Sequence, residues 1–405
     1  MEKVIQQKFQ IQFTYPVFFT NNLFSTKNLI LKNLIKNKVI NPKKVLCFVD
    51  KGVSLSHPDL LDLIDSYHKF NKKFLDLVRS PLLIQGGEES KNNPKNIKTI
   101  HQSINKYGIC RHSYILAIGG GAFLDMVGFA AATAHRGIRL IRVPTTTLSQ
   151  NDSGVGVKNG INAFGKKNFT GSFAPPFAVI NDFSFIETLS DRDFRSGISE
   201  TIKVALLKNR SFFNFINSNI QKLNNRDQAV MKRLTYKCAE LHLNHIATSG
   251  DPFEMGSSRP LDFGHWSAHK LEQLTNYDLR HGEAVAIGMA LDCTYSYLIG
   301  YLPKKSWLKI INTIQTLHLP TYHEQLELSL QTKNSVLKGL DEFREHLGGQ
   351  LTIILLKDIG RPIEVNKIDK NLVLDSIKIL KNLNNYGKAD EQTFKKIPAH
   401  PAAIN

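Results

Sequence analysis

Apolar and polar positions change their period along this chain. Over residues 8–19 Phe9, Ile11, Phe13 and Tyr15 alternate with polar neighbours, which predicts a half-buried strand. Lys44–Val49 is a short apolar run closing on Asp50. Leu60–Phe70 shifts to the period of an amphipathic helix, and Leu82–Gln85 returns to a strand, followed by Gly87, Glu88 and Lys91. Asn93-Pro94 opens a helix to about Tyr107, with Gly108 as its stop. Tyr114–Ile118 and Ile138–Val143 read as buried strands. This alternation, up to Asn181, predicts a mostly parallel, doubly wound sheet. After Leu189 the texture is helical, over 191–207, 211–223, 227–247, 264–275 and 282–299, and strand signals nearly vanish until Gln350–Leu356. The expected layout is an α/β domain over 1–185, an all-α domain over 186–381 and a loose tail over 382–405.

Chemistry concentrates between Ile118 and Lys203. The strand ending at Ile118 runs into Gly119-Gly120-Gly121, then Asp125 and a small-residue helix, Gly128–Ala134. Strand, glycine turn and helix suit a bound pyrophosphate. Glycine lets the backbone approach, and free N–H groups at the helix start face the anion. The first domain is therefore expected to be Rossmann-like. An acidic residue ending an early strand can accept from a ribose, so Asp50 is a candidate, with a helix N-cap as the alternative. Arg136-Gly137, Pro144-Thr145-Thr146-Thr147, and a Gly- and Asn-rich lysine loop holding Lys158, Lys166 and Lys167 follow. Lysines in such loops are typical of phosphate capture.

The formal net charge of +17 admits a nucleic-acid reading. The lysines are scattered, however, and no aromatic-basic interleaving accompanies them, so no nucleic-acid partner is expected. The four cysteines lie far apart without Cys-x-x-Cys spacing, and the opening Met1–Gln7 is polar. Both fit a cytoplasmic protein with no membrane partner.

Glu200 and Lys203 share one face of a helix, among Ile198, Ile202, Ala205 and Leu206. A carboxylate buried there needs a partner or a metal. His265 and His269 share a face of another helix, and His281 follows in Arg280-His281-Gly282-Glu283. Two histidines with a carboxylate suit zinc in an open, catalytic geometry. His242 and His245, without a glycine turn beside them, read as structural or exposed.

Together these motifs resemble the sugar phosphate cyclase superfamily, whose best-known member is 3-dehydroquinate synthase. The likeness runs from Asp50 to about Leu356: the glycine turn with Asp125, Arg136-Gly137, Pro144-Thr145-Thr146, Asp152-Ser153 with Lys158, Lys167-Asn168, Glu200 with Lys203, Gly264-His265 with His269, and His281-Gly282-Glu283-Ala284. Leu124 stands where the family has a glycine. The resemblance implies the dehydroquinate synthase-like fold, an α/β Rossmann-like domain plus an all-α domain. It implies Zn2+ (or Co2+) on Glu200, His265 and His281, and NAD on Asp50, Glu88, Lys91, Gly120, Gly121, Asp125, Thr145, Thr146 and Lys167. It also implies Asp152, Lys158, Asn168, Lys203 and His269 around a phosphorylated sugar, and Arg136 reaching a neighbouring subunit's substrate in a homodimer. The implied reaction is redox-neutral: oxidation of a ring hydroxyl, loss of phosphate, re-reduction, ring opening and aldol closure.

The departures bear on substrate. Where 3-dehydroquinate synthases grip a carboxylate with asparagine, arginine and lysine, this chain has Asp262, Ser258 (with Arg259 one step out of register) and Asn244. Where the family has Asp-Lys-Lys, it has Phe343-Arg344-Glu345-His346-Leu347-Gly348-Gly349. Two lost cations and a gained anion make a poor carboxylate site. The pattern is nearer the 2-epi-5-epi-valiolone synthase-type branch, whose substrate is sedoheptulose 7-phosphate. The alternatives are a 3-dehydroquinate synthase proper, a metal-dependent polyol dehydrogenase and a basic nucleic-acid-binding protein.

Overall fold

A computed structural model describes residues 3–36, 42–249, 251–253, 259–328, 330, 335–346 and 348–386. Ser258, the side chain of His346 and the stretch 387–405 lie outside what is described. The chain forms two compact units, the first within Met1–Pro144 and Val157–Asp182, the second within Thr145–Gly156 and Phe183–Asn405.

The first unit is a parallel sheet of seven strands. It consists of β1 (Val17–Thr20), β2 (Lys43–Asp50), β3 (Leu75–Leu77), β4 (Leu82–Ile84), β5 (Tyr114–Gly119), β6 (Arg139–Pro144) and a later strand, β9 (Ala178–Asp182). Their order is β1-β9-β6-β5-β2-β3, with β4 also on β2. The chain runs outward from β2 and returns to lay β5 on its other side. The carboxyl ends of β2 and β5 thus flank the point where the winding reverses, the usual ligand crevice of open α/β sheets. Near-continuous apolar runs such as Val45–Val49 and Tyr114–Ile118 are wholly buried, as strands covered on both faces must be. The helix Pro94–Lys106 forms for reasons readable in sequence: the Asn93 side chain accepts from the Lys95 N–H at 3.0 Å and Pro94 opens its first turn.

Two expectations in this unit are corrected. Residues 3–16 form no regular strand, and Phe9 and Ile11 are 74% and 64% exposed. Alternation makes a strand only where a partner strand lies alongside, and β9 pairs only from Val17 onward. The lysine-bearing stretch is not a loop but an antiparallel hairpin, β7 (Lys158–Ala163) with β8 (Lys166–Phe173). Its tip is Phe164-Gly165, both at positive φ (53° and 71°), as the primed turns of two-residue hairpins require.

The second unit is helical. Ser190 caps Asp191–Lys208, Asn209 caps Arg210–Ser218, and Asp227 caps Gln228–Thr248, each side chain accepting from a first-turn N–H. The pattern over 211–223 breaks at Asn219 into two helices, the second being Ile220–Asn224. His265–Leu274, His281–Leu298 and Lys304–Thr316 follow, with one antiparallel hairpin, β10 (Ile353–Asp358) and β11 (Arg361–Val365). The closing helix, Lys370–Tyr386, continues past Asn382 into the stretch expected to be loose. Where 1–185 was expected to fold together, Thr145–Gly156 joins the helical unit. Thr147 Oγ1 donates to the Asp193 and Phe194 carbonyls, both at 3.0 Å. Asn151 Nδ2 donates to the Gly197 carbonyl at 2.7 Å and Thr201 Oγ1 at 2.9 Å.

Candidate active site

In the first unit the predicted nucleotide residues gather at the carboxyl ends of the strands. Gly119 closes β5, Gly120 caps the helix Gly121–Thr133, and that first turn presents its N–H groups outward. Asp50 closes β2 and also caps the short helix after it, accepting from the Gly52 N–H at 2.9 Å, so the ribose and N-cap readings are compatible. Burial raises its carboxyl, while the Gly52 and Gly86 N–H groups pull it back. Lys91 is buried and lies 3.0 Å from Asp125 Oδ2 and 3.6 Å from Glu88 Oε1, with Asn168 Oδ1 also bonded to its ammonium. Asn162 Nδ2 donates to Glu88 Oε1 at 3.1 Å and its oxygen accepts from the Asn168 N–H at 2.8 Å. Glu88, Lys91, Asp125 and Asn168 are therefore one network. Lys158 and Lys166 are exposed and Lys167 is half-buried on the hairpin.

Arg142, which sequence reasoning missed, belongs to the same region. It is wholly buried in β6 and donates to Asn159 Oδ1 at 2.6 Å and to the Lys158 carbonyl at 3.0 Å. It thereby fixes the start of β7. Burial pushes the Asp125 carboxyl up, and Lys91 and Arg142 offset part of that rise. Arg136 is exposed and lies in a left-handed stretch, with His135 at φ 52°, Arg136 at φ 61° and Gly137 at φ 112°. Consecutive non-glycine residues in that region cost energy and cluster at functional sites.

The second unit holds the metal-type cluster. Glu200 is fully buried, and its Oε1 lies 3.7 Å from His265 Nε2 and 3.5 Å from His281 Nε2. The other ring nitrogens are engaged: His265 Nδ1 is 3.0 Å from the Phe263 carbonyl, and His281 Nδ1 is 3.1 Å from Glu272 Oε2. Each Nδ1 faces an acceptor and so carries the proton. Both Nε2 lone pairs then converge beside Glu200 Oε1, a buried carboxylate oxygen with no hydrogen-bond partner among the described residues. Burial, followed by Lys203, His269 and His281, holds His265 well below the ordinary histidine range, hence neutral and able to ligate. These residues fit a divalent metal: a carboxylate, two neutral imidazoles and an oriented second layer through Glu272. The His269 ring sits 5.2 Å from that of His265 and 5.9 Å from that of His281. Arg192 forks onto both Glu283 oxygens at 2.6 Å, joining the helix that bears Glu200 to the helix that bears His281.

Lys203 lies 2.5 Å from Glu200 Oε2. Burial opposes its charge, but Glu200, Asp152 and Asp262 more than offset this and hold it above the ordinary lysine range. Asp152 sits in a π-helical turn, Ser149–Ser153, an irregularity frequent at functional sites. Its Oδ1 is 2.6 Å from His242 Nδ1. Burial works against its charge, yet His242 and Lys203 hold it well below the usual carboxylate range. His242 was read as structural or exposed; its side chain is 14% exposed and paired with Asp152, and no local spacing links it to a residue so far away in sequence. Asn244, two positions on, is exposed. Thr145 Oγ1 is buried without a hydrogen-bond partner among the described residues, and Thr146 Oγ1 lies 2.8 Å from Ser149 Oγ. Among the described residues no helix is long and apolar enough to cross a membrane.

A glycine turn at the sheet's carboxyl edge and a Glu-His-His donor set define a chain equipped for a dinucleotide and a divalent metal. Residues 81–196 match the 3-dehydroquinate synthase N-terminal family, and residues 197–338 match the 3-dehydroquinate synthase C-terminal family. The chain belongs to the 3-dehydroquinate synthase family. It is 35% identical to a 3-dehydroquinate synthase of Dictyoglomus turgidum over 92% of this chain and 97% of that one. Its fold is similar to 2-epi-5-epi-valiolone synthase (ValA) of Streptomyces hygroscopicus subsp. jinggangensis, solved with NAD+ and Zn2+ bound. The TM-score is 0.83 at 24% identity, covering 93% of this chain and 99% of that one. A 2-deoxy-scyllo-inosose synthase complexed with carbaglucose-6-phosphate, NAD+ and Co2+ aligns with a TM-score of 0.72 at 21% identity, covering 89% and 95%.

Proposed function

We propose that this protein is a sugar phosphate cyclase, a phosphate-eliminating carbon–oxygen lyase, and that its substrate is sedoheptulose 7-phosphate rather than a carboxylated sugar phosphate. The enzyme class rests on the family and on the cyclases that share the fold. One observation carries the substrate choice. The buried ammonium of Lys203 lies 2.5 Å from Glu200 Oε2, and the charges of Asp152 and Asp262 add to the negative field that acts on it. A substrate carboxylate placed beside them would meet excess negative charge, whereas polyol hydroxyls can donate to Asp152 and Asp262.

When bound, NAD supplies the hydride acceptor and donor of a redox-neutral cycle, and Zn2+ (or Co2+) supplies Lewis acidity. Glu200, His265 and His281 would hold the metal, with Glu272 and the Phe263 carbonyl fixing the histidine tautomers. Gly120, Gly121, Asp50, the network of Glu88, Lys91 and Asp125, Lys167, and Thr145 with Thr146 would hold the dinucleotide. Lys203 stays cationic and donates to developing oxyanions. Asp152, kept ionised by His242, accepts from a substrate hydroxyl. His269 can carry a proton to or from a nearby oxygen. Lys158, Asn168 and Arg136 are assigned to the phosphate and ring hydroxyls by the motif match, Arg136 toward the substrate of a second subunit.

The test is phosphate release, with product mass, from sedoheptulose 7-phosphate and from the carboxylated seven-carbon substrate of 3-dehydroquinate synthase, each with NAD and Zn2+. Sedoheptulose 7-phosphate is expected to turn over faster by orders of magnitude, without net change at 340 nm. Efficient turnover of the carboxylated substrate, lost in Arg259→Ala, would show a 3-dehydroquinate synthase proper. Stoichiometric accumulation of NADH would instead show a dehydrogenase. For the homodimer, mixed Arg136→Ala and Lys203→Ala subunits should regain part of the activity. No regain despite proven subunit exchange would place Arg136 in its own subunit's chemistry.

A further inference from the structure

Asp292 is a buried carboxylate for which the reaction outlined above has no use. It lies 3% exposed on the helix His281–Leu298, and no cation pairs with it among the described residues. A charge so placed is costly, and a neutral acceptor would serve any ordinary cap. Its two oxygens have specific partners. Oδ2 accepts from the Gly264 N–H at 2.9 Å, and Oδ1 accepts from Trp266 Nε1–H at 2.8 Å. Those two residues flank His265 on either side. The Phe263 carbonyl, one residue further back, holds the His265 ring by its Nδ1.

The backbone there has little other freedom. Gly264 sits at φ 78°, and a Cβ on it would come within 2.7 Å of the Met289 nitrogen. A Cβ on Gly288 would come within 2.0 Å of the Gly264 carbonyl oxygen. His281, Gly288 and Asp292 fall at helical spacings of seven and four, hence on one face of one helix. That face presents one imidazole itself, packs against the turn before the other at Gly288, and grips that turn at two points through Asp292. Its two carboxyl oxygens each take one of these N–H groups; an amide offers one oxygen and turns a donor toward the second N–H.

We propose that Asp292 is a positioning residue for the metal ligand His265, acting through the hydrogen bonds it accepts from Gly264 and Trp266. The inference rests on the reading of Glu200, His265 and His281 as metal ligands. Its test is metal affinity, read by chelator competition for Zn2+ and by the visible absorption of bound Co2+. Asp292→Asn should bind Zn2+ about 10–100-fold more weakly and alter the Co2+ spectrum, as loss of a second-layer contact does. Adding Trp266→Phe to Asp292→Asn removes the donor that the new amide opposes, and part of the affinity should return. Leu380→Ala, in the buried interior of the same unit, should lower the thermal midpoint and leave metal affinity unmoved. If Asp292→Asn does not fold, Trp266→Phe alone is read, with an expected loss of about threefold or more on the same scale. Affinity and spectrum unchanged in the folded variant, while His265→Ala has lost its metal, would overturn the proposal. Metal retained by His265→Ala would overturn the ligand assignment itself, and this inference with it.

Discussion

Lys203, in the second unit, is 2% exposed and lies 2.5 Å from a glutamate that is wholly buried. Lys158, in the first, is exposed at the start of β7, and it is the carbonyl of that residue that Arg142 holds. Both carry a positive charge, but they are held by different means. The second unit fixes side chains: each donor of the Glu200 cluster is oriented by another buried group. The first unit fixes backbone, through a glycine turn, a helix start and a hairpin pinned at its root by Arg142 and near its tip by Asn162. The difference teaches where mutation should hurt. A buried charge has no solvent to fall back on, so losing one partner exposes the full desolvation cost of the others. An exposed charge on a fixed backbone gives up function at little cost in stability.

The largest effect should come from the donor set. Glu200→Gln and His281→Ala should lose bound metal, counted by elemental analysis. Activity should fall by about 10³-fold or more, the weight of several kcal/mol of Lewis-acid stabilisation. His281→Ala should keep its fold, as that side chain is partly solvated. Full metal occupancy in either variant would end the assignment.

Next comes the pair of lysines. Lys203→Met leaves Glu200, Asp152 and Asp262 without their shared cation, and should cost about 3–5 kcal/mol in urea unfolding. Lys158→Met should stay within about 0.5 kcal/mol of wild type. Equal costs for the two would break the contrast between the units.

Much of this was legible in sequence, for a physical reason. Elements with strong local signals, such as Leu60–Phe70 and the capped helix from Pro94, matched because cap and period act within a few residues. Glu200 with Lys203, and His265 with His269, could be read because helical spacing puts each pair on one face; His281 opens a separate helix and was read from its nearness in sequence to that pair. What stayed hidden depends on residues far apart in sequence. His242 meets Asp152 only once the π-turn packs on its helix. Arg142 looks out of place in an apolar strand until Asn159 and Asp125 surround it. The alternation around Phe9 and Ile11 carried a true strand signal but found no strand beside it.

A pH dependence follows from Asp292. Burial pushes its carboxyl up to about 7, from 3.8, with Trp266 and Gly264 pulling the other way. The native state therefore holds its proton over a range where the unfolded chain has released it, and stability falls as pH rises from about 4 to about 7. At 1.36 kcal/mol per unit, the loss is on the order of 2–4 kcal/mol. Metal-free Asp292→Asn should lack this slope. Denaturant melts of both proteins at pH 4.5 and 7 would decide it: the variant should close on, or overtake, wild type at the higher pH. A constant gap between them would show that Asp292 does not titrate there.

The smallest effect belongs to the hairpin tip and has the opposite sign. Phe164 is 86% exposed and sits at φ 53°, a left-handed conformation that a bulky residue adopts at a cost. Asparagine tolerates that region, and Asn-Gly is the preferred pair for a primed two-residue turn. Against this, Phe164 meets Phe169 edge-on with ring centroids 5.2 Å apart. Phe169 is itself 54% exposed, so that contact buries little and should be worth no more than about 0.5 kcal/mol, the low end for aromatic pairs. The turn gain, about 1 kcal/mol for relieving a left-handed bulky residue, should win. Phe164→Asn is therefore expected to raise stability by a few tenths of a kcal/mol, read as slower amide exchange across β7 and β8. Faster exchange would mean that the aromatic pair, not the backbone, holds this hairpin together. The first unit would then share the second unit's reliance on side chains.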